Sequence, residues 1–492
     1  MLLLAVVVLR LALHLWFGGD YGFHRDELAT IDDARYLAAG YVAYPPVTPL
    51  IGRLALELFG ESLRGFRVFA ALAQAIAMLV TGLIARELGA SRSGQALAAV
   101  AAGIAPIAMI AGVLFQYVAF DYLWWVLIAF CAVRLLRSGD PRWWLAIGAL
   151  IGVGMMTKYT MGFLALGVVA GILVTPARRF LRSPWLWLGA VFSVVIFLPN
   201  LVWQQQHDFI SLEFLRHIHE RDVRIGRTDG FMAEQFFVAT NTLTAPLWIA
   251  GLWYYFASRE GKPYRMLGWM YVVPLLLFLV MEGRGYYLGP AYPMLFAGGA
   301  VAWDRWLAAT RPSRGRIVRF ATAAILAVAF VPAALLALPI GPVHSPIWNA
   351  RLGVTTDFAE EIGWEELTAT VAGVWKSLPE AERETTGIFA GNYGEAGAIN
   401  LYRDRYGLPE AISGTNSYWY RGPGNPPPTT LIVLGVPIDD ARESFRDCRV
   451  VARLTNRWNV QNEETRDHPD VLLCRDIKTT WDKIWPETRS FG

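Results

Sequence analysis

Two adjacent carboxylates, Asp26 and Glu27, stand just beyond an apolar N-terminal run, in the charged and aromatic stretch YGFHRDELATIDDARYLAAGYVAYPPVTPL that spans positions 21–50. Ionisable groups at the edge of a membrane segment are candidates for function. Acids are also favoured at a helix N-terminus, so the pair either works at the membrane surface or caps an interfacial helix running from Asp26 to Gly40. The prolines of YPPVTPL, which fix φ and remove donors, then turn the chain back. Two bases hold comparable positions: Lys158 in GMMTKYTMG and Arg284 in MEGRGYYLGPAYP. Each alone is explained as a snorkelling anchor; with an acid pair on the same side, both can converge on an anionic headgroup. Tyr286 and Tyr287 fit such a site or an interfacial aromatic belt. Asp121, shortly after FQY, is a further charge at the end of an apolar segment.

The elements that must carry these residues follow from composition. The chain has 492 residues, 55% apolar and 17% charged, with a net charge of +3, which is membrane-protein usage. MLLLAVVVLRLALHLWFGG has no preceding basic region or small-residue cleavage site and is expected to be an uncleaved first span. About eleven segments suit a bilayer core: Leu2 to Phe17, Phe66 to Leu88, Gln95 to Val113, Phe120 to Leu136, Trp143 to Thr157, Met161 to Val174, Trp185 to Trp203, Phe231 to Phe256, Leu267 to Met281, Leu288 to Trp306, and Ile317 to Leu338. Basic residues cluster at alternate turns, at Arg86 and Arg92, Arg134 to Arg142, Arg178 to Arg182, Arg259 to Arg265, and Arg305 to Arg319. By the positive-inside rule these turns are cytoplasmic. The N-terminus is then cytoplasmic, and the 18–65 loop, the 204–230 loop and everything after Pro339 lie outside. Residues 1–338 form a helical membrane core. Residues 339–492, richer in charge and with strand-like TTLIVLGVP and CRVVARL, are expected to form an extracytoplasmic α/β domain. Cys448 and Cys474 there can pair if that side is oxidising.

Several chemistries lack their motifs. There is no Walker loop and no G-x-G-x-x-G after a strand, so nucleotide binding is not indicated; no G-x-S-x-G elbow marks a serine hydrolase, and no nucleic-acid partner is expected. His207, His217 and His219 do not have the spacing of H-E-x-x-H and read as ordinary loop histidines.

FHRDELATIDDARYLAAGYVAYPPVTPLIGRL resembles the first outer loop of bacterial glycosyltransferases related to the dolichyl-phosphate-mannose-protein mannosyltransferases and the aminoarabinose transferases, members of the glycosyltransferase C superfamily. The likeness continues through GMMTKYTMG, FLPNLVWQQQHDF, GRGYYLGPAYPMLFAGGAVAW, FAGNYGEAGAINLYRDRYGLPEAISGTNSYWYRGP and WPETRSFG, so it spans nearly the whole chain. It implies a donor sugar on a polyprenyl phosphate, an envelope glycan, lipid or protein as acceptor, and inversion at the anomeric carbon by single displacement. In the family's pattern Asp26 is the general base and Glu27 orients the acceptor or supports Asp26. Lys158 and Arg284 stabilise the leaving phosphate, and Tyr286 and Tyr287 line the lipid or sugar path. Asp121 falls near an acidic position that in some members helps hold a divalent cation. Glu395 and Asn416, in matching tail motifs, either contact the acceptor or serve structural turns. Two departures stand out: Tyr44 precedes the paired prolines where the aminoarabinose branch has a lysine, and Arg284 stands where lysine is more usual, adding a bidentate fork.

The expectation is a polytopic all-α membrane enzyme of the plasma membrane, of glycosyltransferase C fold, with an external α/β domain. A lipid-linked-sugar flippase or other transporter is the alternative. It would place ionisable groups near mid-membrane and show symmetric halves, whereas here the charges gather at one face. A binding or scaffold protein that keeps the fold without activity is a further rival.

Overall fold

The computed structural model describes residues 1–492. Helices form at each of the apolar segments: α1 (Leu2–Phe17), then after the outer-loop helices α2 (Arg25–Arg35) and α3 (Val47–Phe59), α4 (Leu63–Glu87), α5 (Arg92–Gly103), α6 (Pro106–Val113), α7 (Tyr117–Ser138), α8 (Trp143–Met155), α9 (Met161–Val174) and α10 (Pro184–Gln206). They continue with α11 (Ile210–Arg224), α12 (Phe231–Phe237), α13 (Ala245–Ala257), α14 (Arg265–Val280), α15 (Tyr292–Ala308) and α16 (Pro312–Ala337).

Five helices are long and apolar enough to cross a membrane, or eight if each of three bent pairs counts as one span. The expected count of about eleven is therefore not reached by length and composition. The segment read as Gln95 to Val113 bends by 68° between α5 and α6, where Pro106 cannot donate to the preceding turn. The segment read as Phe231 to Phe256 bends by 85° after α12, where Asn241 caps a 3₁₀ turn. α1 and α8 are apolar but short. α4 and α7 lie in the middle of the bundle with most side chains buried, whereas α10 and α16 leave most of theirs exposed. Those outer apolar faces are what a lipid-facing helix requires, since hydrocarbon is as good a neighbour for them as protein.

The helix expected from Asp26 to Gly40 is shorter, Arg25–Arg35. It stops because the Tyr41 hydroxyl lies 3.0 Å from the Asp33 carbonyl and 3.1 Å from that of Tyr36, taking up groups that a further turn would have used.

After α16 the chain builds a five-stranded sheet from β1 (Thr386–Ala390), β2 (Ala411–Ile412), β3 (Thr430–Leu434), β4 (Phe445–Arg453) and β5 (Asp470–Ile477), in the order β2-β1-β3-β5-β4. β1 pairs in parallel with β2 and β3; β5 runs antiparallel to β3 and β4. Cys448 and Cys474, directly opposite on β4 and β5, are joined in a disulfide. The helix Tyr393–Tyr406 connects β1 to β2 and packs on α2, and a single apolar cluster runs from Leu28 and Ile31 into Ala396, Ile399 and Leu401. Gly397 sits at this contact, where a Cβ would come within 2.8 Å of the Leu28 backbone. Arg421 reaches across to the adjacent carboxylates Asp32 at 2.5 Å and Asp33 at 2.8 Å, and Asn400 donates to Asp32 at 2.9 Å.

Candidate active site

Successive residues on a helix point about 100° apart, and this separates the carboxylate pair. Glu27 turns inward and is fully buried. It accepts from Arg67 Nε at 2.8 Å and Nη2 at 2.7 Å, from the Phe115 N–H at 2.8 Å and from the His24 N–H at 2.9 Å. Its oxygens are fully engaged, so the expectation that Glu27 orients an acceptor is corrected. Glu27 caps the first turn of α2 and ties it to α4 and to the α6–α7 junction. A second acid, Glu361, faces the same Arg67 guanidinium at 3.5 Å. Burial pushes its carboxyl up to about 8, against the pull of Arg67 and with the push of Glu27.

Asp26 turns outward into a cavity of about 1220 Å³ whose wall also carries Tyr44, Gln116, Tyr117, Lys158, Arg284, Tyr286, Tyr287, Tyr393 and Asn416. Its side chain is 38% exposed, enough for a ligand to reach it. Tyr393 Oη donates to Oδ1 at 2.8 Å, Gln116 Nε2 donates to Oδ2, and His24 Nδ1 lies 3.8 Å from Oδ2.

Lys158 sits in the turn between α8 and α9, nearly buried. Its ammonium is 4.0 Å from the Tyr287 ring centroid, 5.4 Å from that of Tyr117 and 5.6 Å from that of Tyr286, a cage of aromatic faces. Burial lowers its pKa, Asp121 opposes the shift and Arg284 adds to it. A cation held by rings and a distant acid is free to pair with an incoming anion. Arg284 is anchored instead: its Nε and Nη2 lie 2.6 and 2.5 Å from one oxygen of Asp222 on α11, and Nη1 is 3.4 Å from the Tyr286 hydroxyl. Arg221 and Arg227 approach the same Asp222 at 3.5 and 3.9 Å and line the cavity too.

Tyr44 donates to Asp33 at 2.7 Å, so the residue that replaces the branch's lysine adds a hydroxyl to the wall and no charge. Asp121 is buried in α7, accepts from Trp125 at 3.1 Å and does not reach the cavity. No three His, Cys, Asp or Glu side chains gather anywhere as a metal-ligand set. Asn416 is on the cavity wall, its amide nitrogen 3.1 Å from the Gly492 carbonyl. Glu395 has the geometry of the structural alternative: it is fully buried, caps its own helix from the Gly391 and Asn392 N–H groups at 3.1 and 3.3 Å, and is absent from the cavity wall. Burial, with Glu464 adding to it, pushes its carboxyl up to about 8.

Tyr393, Gln116, Asp222 and Arg67 were not singled out by sequence reasoning. Tyr393 lies inside a stretch that carried the resemblance, whereas Gln116, in FQY, does not. Their contacts with Asp26 cross 367 and 90 positions, a distance no spacing rule covers.

The bent apolar helices, the outer-loop helix with its acid and the docked sheet make a fold that this chain shares with solved structures. It superposes on the crystal structure of ArnT from Cupriavidus metallidurans bound to undecaprenyl phosphate with a TM-score of 0.58 and 17% identity, covering 96% of this chain and 97% of that one. It superposes on the mycobacterial arabinofuranosyltransferase AftD with a TM-score of 0.52 and 15% identity, covering 97% of this chain and 40% of that one. Within that fold, the chain resembles the dolichyl-phosphate-mannose-protein mannosyltransferase and aminoarabinose transferase-like proteins. The family model for dolichyl-phosphate-mannose-protein mannosyltransferase matches residues 43–203. The lipid A galacturonosyltransferase RgtD of Rhizobium johnstonii is 26% identical over 267 residues, covering 51% of this chain and 54% of its own. An undecaprenyl phosphate-α-4-amino-4-deoxy-L-arabinose arabinosyl transferase of Pseudomonas fluorescens is 27% identical over 274 residues, 50% of this chain and 47% of its own. The chain thus spans about half the length of the curated relatives it matches.

Proposed function

We propose that this protein is an inverting glycosyltransferase that moves a sugar from a polyprenyl-phosphate donor to a cell-envelope glycan, lipid or protein at the outer face of the plasma membrane. The observation that carries the reading is one cavity wall bearing an accessible carboxylate, Asp26, together with two cations, Lys158 and Arg284, and no nucleotide-binding motif in the chain. Asp26 takes the proton of an acceptor hydroxyl as that oxygen attacks the anomeric carbon. The bond from that carbon to the phosphate oxygen breaks, and its electron pair leaves with the polyprenyl phosphate. Lys158 and Arg284 face the charge that develops there. The single displacement inverts the anomeric centre.

The cavity belongs on the side opposite the basic turns, which puts the N-terminus in the cytoplasm and makes residues 339–492 an extracytoplasmic domain. The Cys448–Cys474 disulfide is in keeping with that compartment. Purified protein in nanodiscs, given a panel of polyprenyl-phosphate sugars, is expected to release free polyprenyl phosphate. Asp26→Asn, still folded, is expected to lose that release. Equal turnover by both proteins removes Asp26 from the chemistry.

A further inference from the structure

We infer that Tyr393 and Gln116 are positioning residues for the Asp26 carboxylate, so that the reacting base is assembled only when the sheet-bearing C-terminal part is docked on α2. The inference rests on the reading of Asp26 as the base.

Each oxygen of Asp26 has one donor, and the two donors come from opposite sides. Gln116 precedes the first turn of α7, in the membrane core. Tyr393 opens the helix Tyr393–Tyr406, in the tail. Two donors on two oxygens fix the plane of the carboxylate, while each oxygen keeps a lone pair for the acceptor proton. The Tyr393 ring is itself held. It lies under the Arg25 guanidinium, 4.9 Å from its centroid, and Arg25 pairs with Glu463 and, at 3.8 Å, with Glu464. Burial and the neighbouring Asp26 push the Tyr393 hydroxyl upward, so it keeps its proton and donates. The charged and titratable groups facing Asp26 are His24 and Arg25 from its own segment, Tyr117 from α7 and Tyr393 from the tail. Tyr393 is thus the tail residue that hydrogen-bonds the reacting carboxylate, and it brings the tail to the active site.

The test uses full-length protein in nanodiscs and the variant Tyr393→Phe, which keeps the ring under Arg25 and removes only the hydroxyl. With the donor that supports turnover, kcat is expected to fall about tenfold with donor KM unchanged, as when one hydrogen bond to a charged group is lost. A raised KM with kcat unchanged overturns the inference. Infrared spectroscopy at fixed pH gives a readout that needs no substrate. The carboxylate stretching band absent in Asp26→Asn is expected to shift in frequency in Tyr393→Phe, because Oδ1 loses its donor, and a band that does not shift overturns the inference. Turnover that survives Asp26→Asn sinks the base assignment instead, and the infrared band then reports separately on whether Tyr393 holds the carboxylate.

Discussion

At the residue scale, two neighbouring acids are divided by the turn of one helix into a buried cap and an accessible carboxylate. The sequence offered two readings of the pair, helix cap or surface chemistry; Glu27 takes the first, and Asp26 has the exposure the second needs. Lys158 shows how burial can serve an anion site. Its charge is surrounded by tyrosine faces, so a phosphate arriving there gains a cation with no carboxylate to displace. Lys158→Gln keeps the length of the side chain and removes the charge. It is expected to lower kcat about 100-fold, the usual loss when one stabiliser of developing negative charge is deleted. Single-turnover release of polyprenyl phosphate measures this directly, and a change smaller than about threefold in that assay would remove Lys158 from the leaving group.

At the element scale, the positions of helices were legible because apolar runs of bilayer length are a strong signal; Leu2–Phe17 and Met161–Val174 have the bounds the sequence suggests. Their continuity was less legible. A run such as Gln95 to Val113 looks like one span, and only the packed structure shows the 68° bend at Pro106. The contact between α2 and the helix Tyr393–Tyr406 left a trace in sequence only as the small residues of NYGEAGA, whose meaning depends on a partner hundreds of positions away. Gly397 lets the helices approach until a Cβ would lie 2.8 Å from the Leu28 backbone, which cannot give way as a side-chain tip can. Alanine would ordinarily favour the helix by about 1 kcal/mol. Here the clash opposes it, and Gly397→Ala is expected to destabilise by about 1–3 kcal/mol, as overpacking of a close contact does. Tyr393 would be displaced from Asp26 with it. The check is thermal unfolding alongside turnover, and a raised melting temperature with full activity would show that the contact has room to spare.

At the scale of the whole molecule, the tail and the membrane core share buried acids as well as apolar surface, and this sets how stability responds to pH. Five carboxyl groups outside the spans, Glu464 among them, are held above their ordinary range, each chiefly by burial. Glu361 and Glu395 are pushed up to about 8 and Glu360 to about 7, from an ordinary 4.5, and Asp33 to about 6 from 3.8. Neighbouring acids add to the shift, Glu27 for Glu361, Glu464 for Glu395 and Glu360, and Asp32 for Asp33, while Arg67, Arg25 and Arg421 oppose it where they are near. An acid whose pKa is raised on folding keeps in the native state a proton that the unfolded chain has already released. Stability therefore falls as pH rises from the ordinary carboxylate range through the folded values, and the loss is complete only above about 8. The melting temperature is expected to be lower at pH 8.5 than at pH 5.5, and the double variant Glu361→Gln and Glu395→Gln, neutral throughout, is expected to flatten that slope. A melting temperature that is level or rises across the same interval would mean that these acids ionise in the folded protein without penalty, and that the interface between tail and core is wetter than its packing implies.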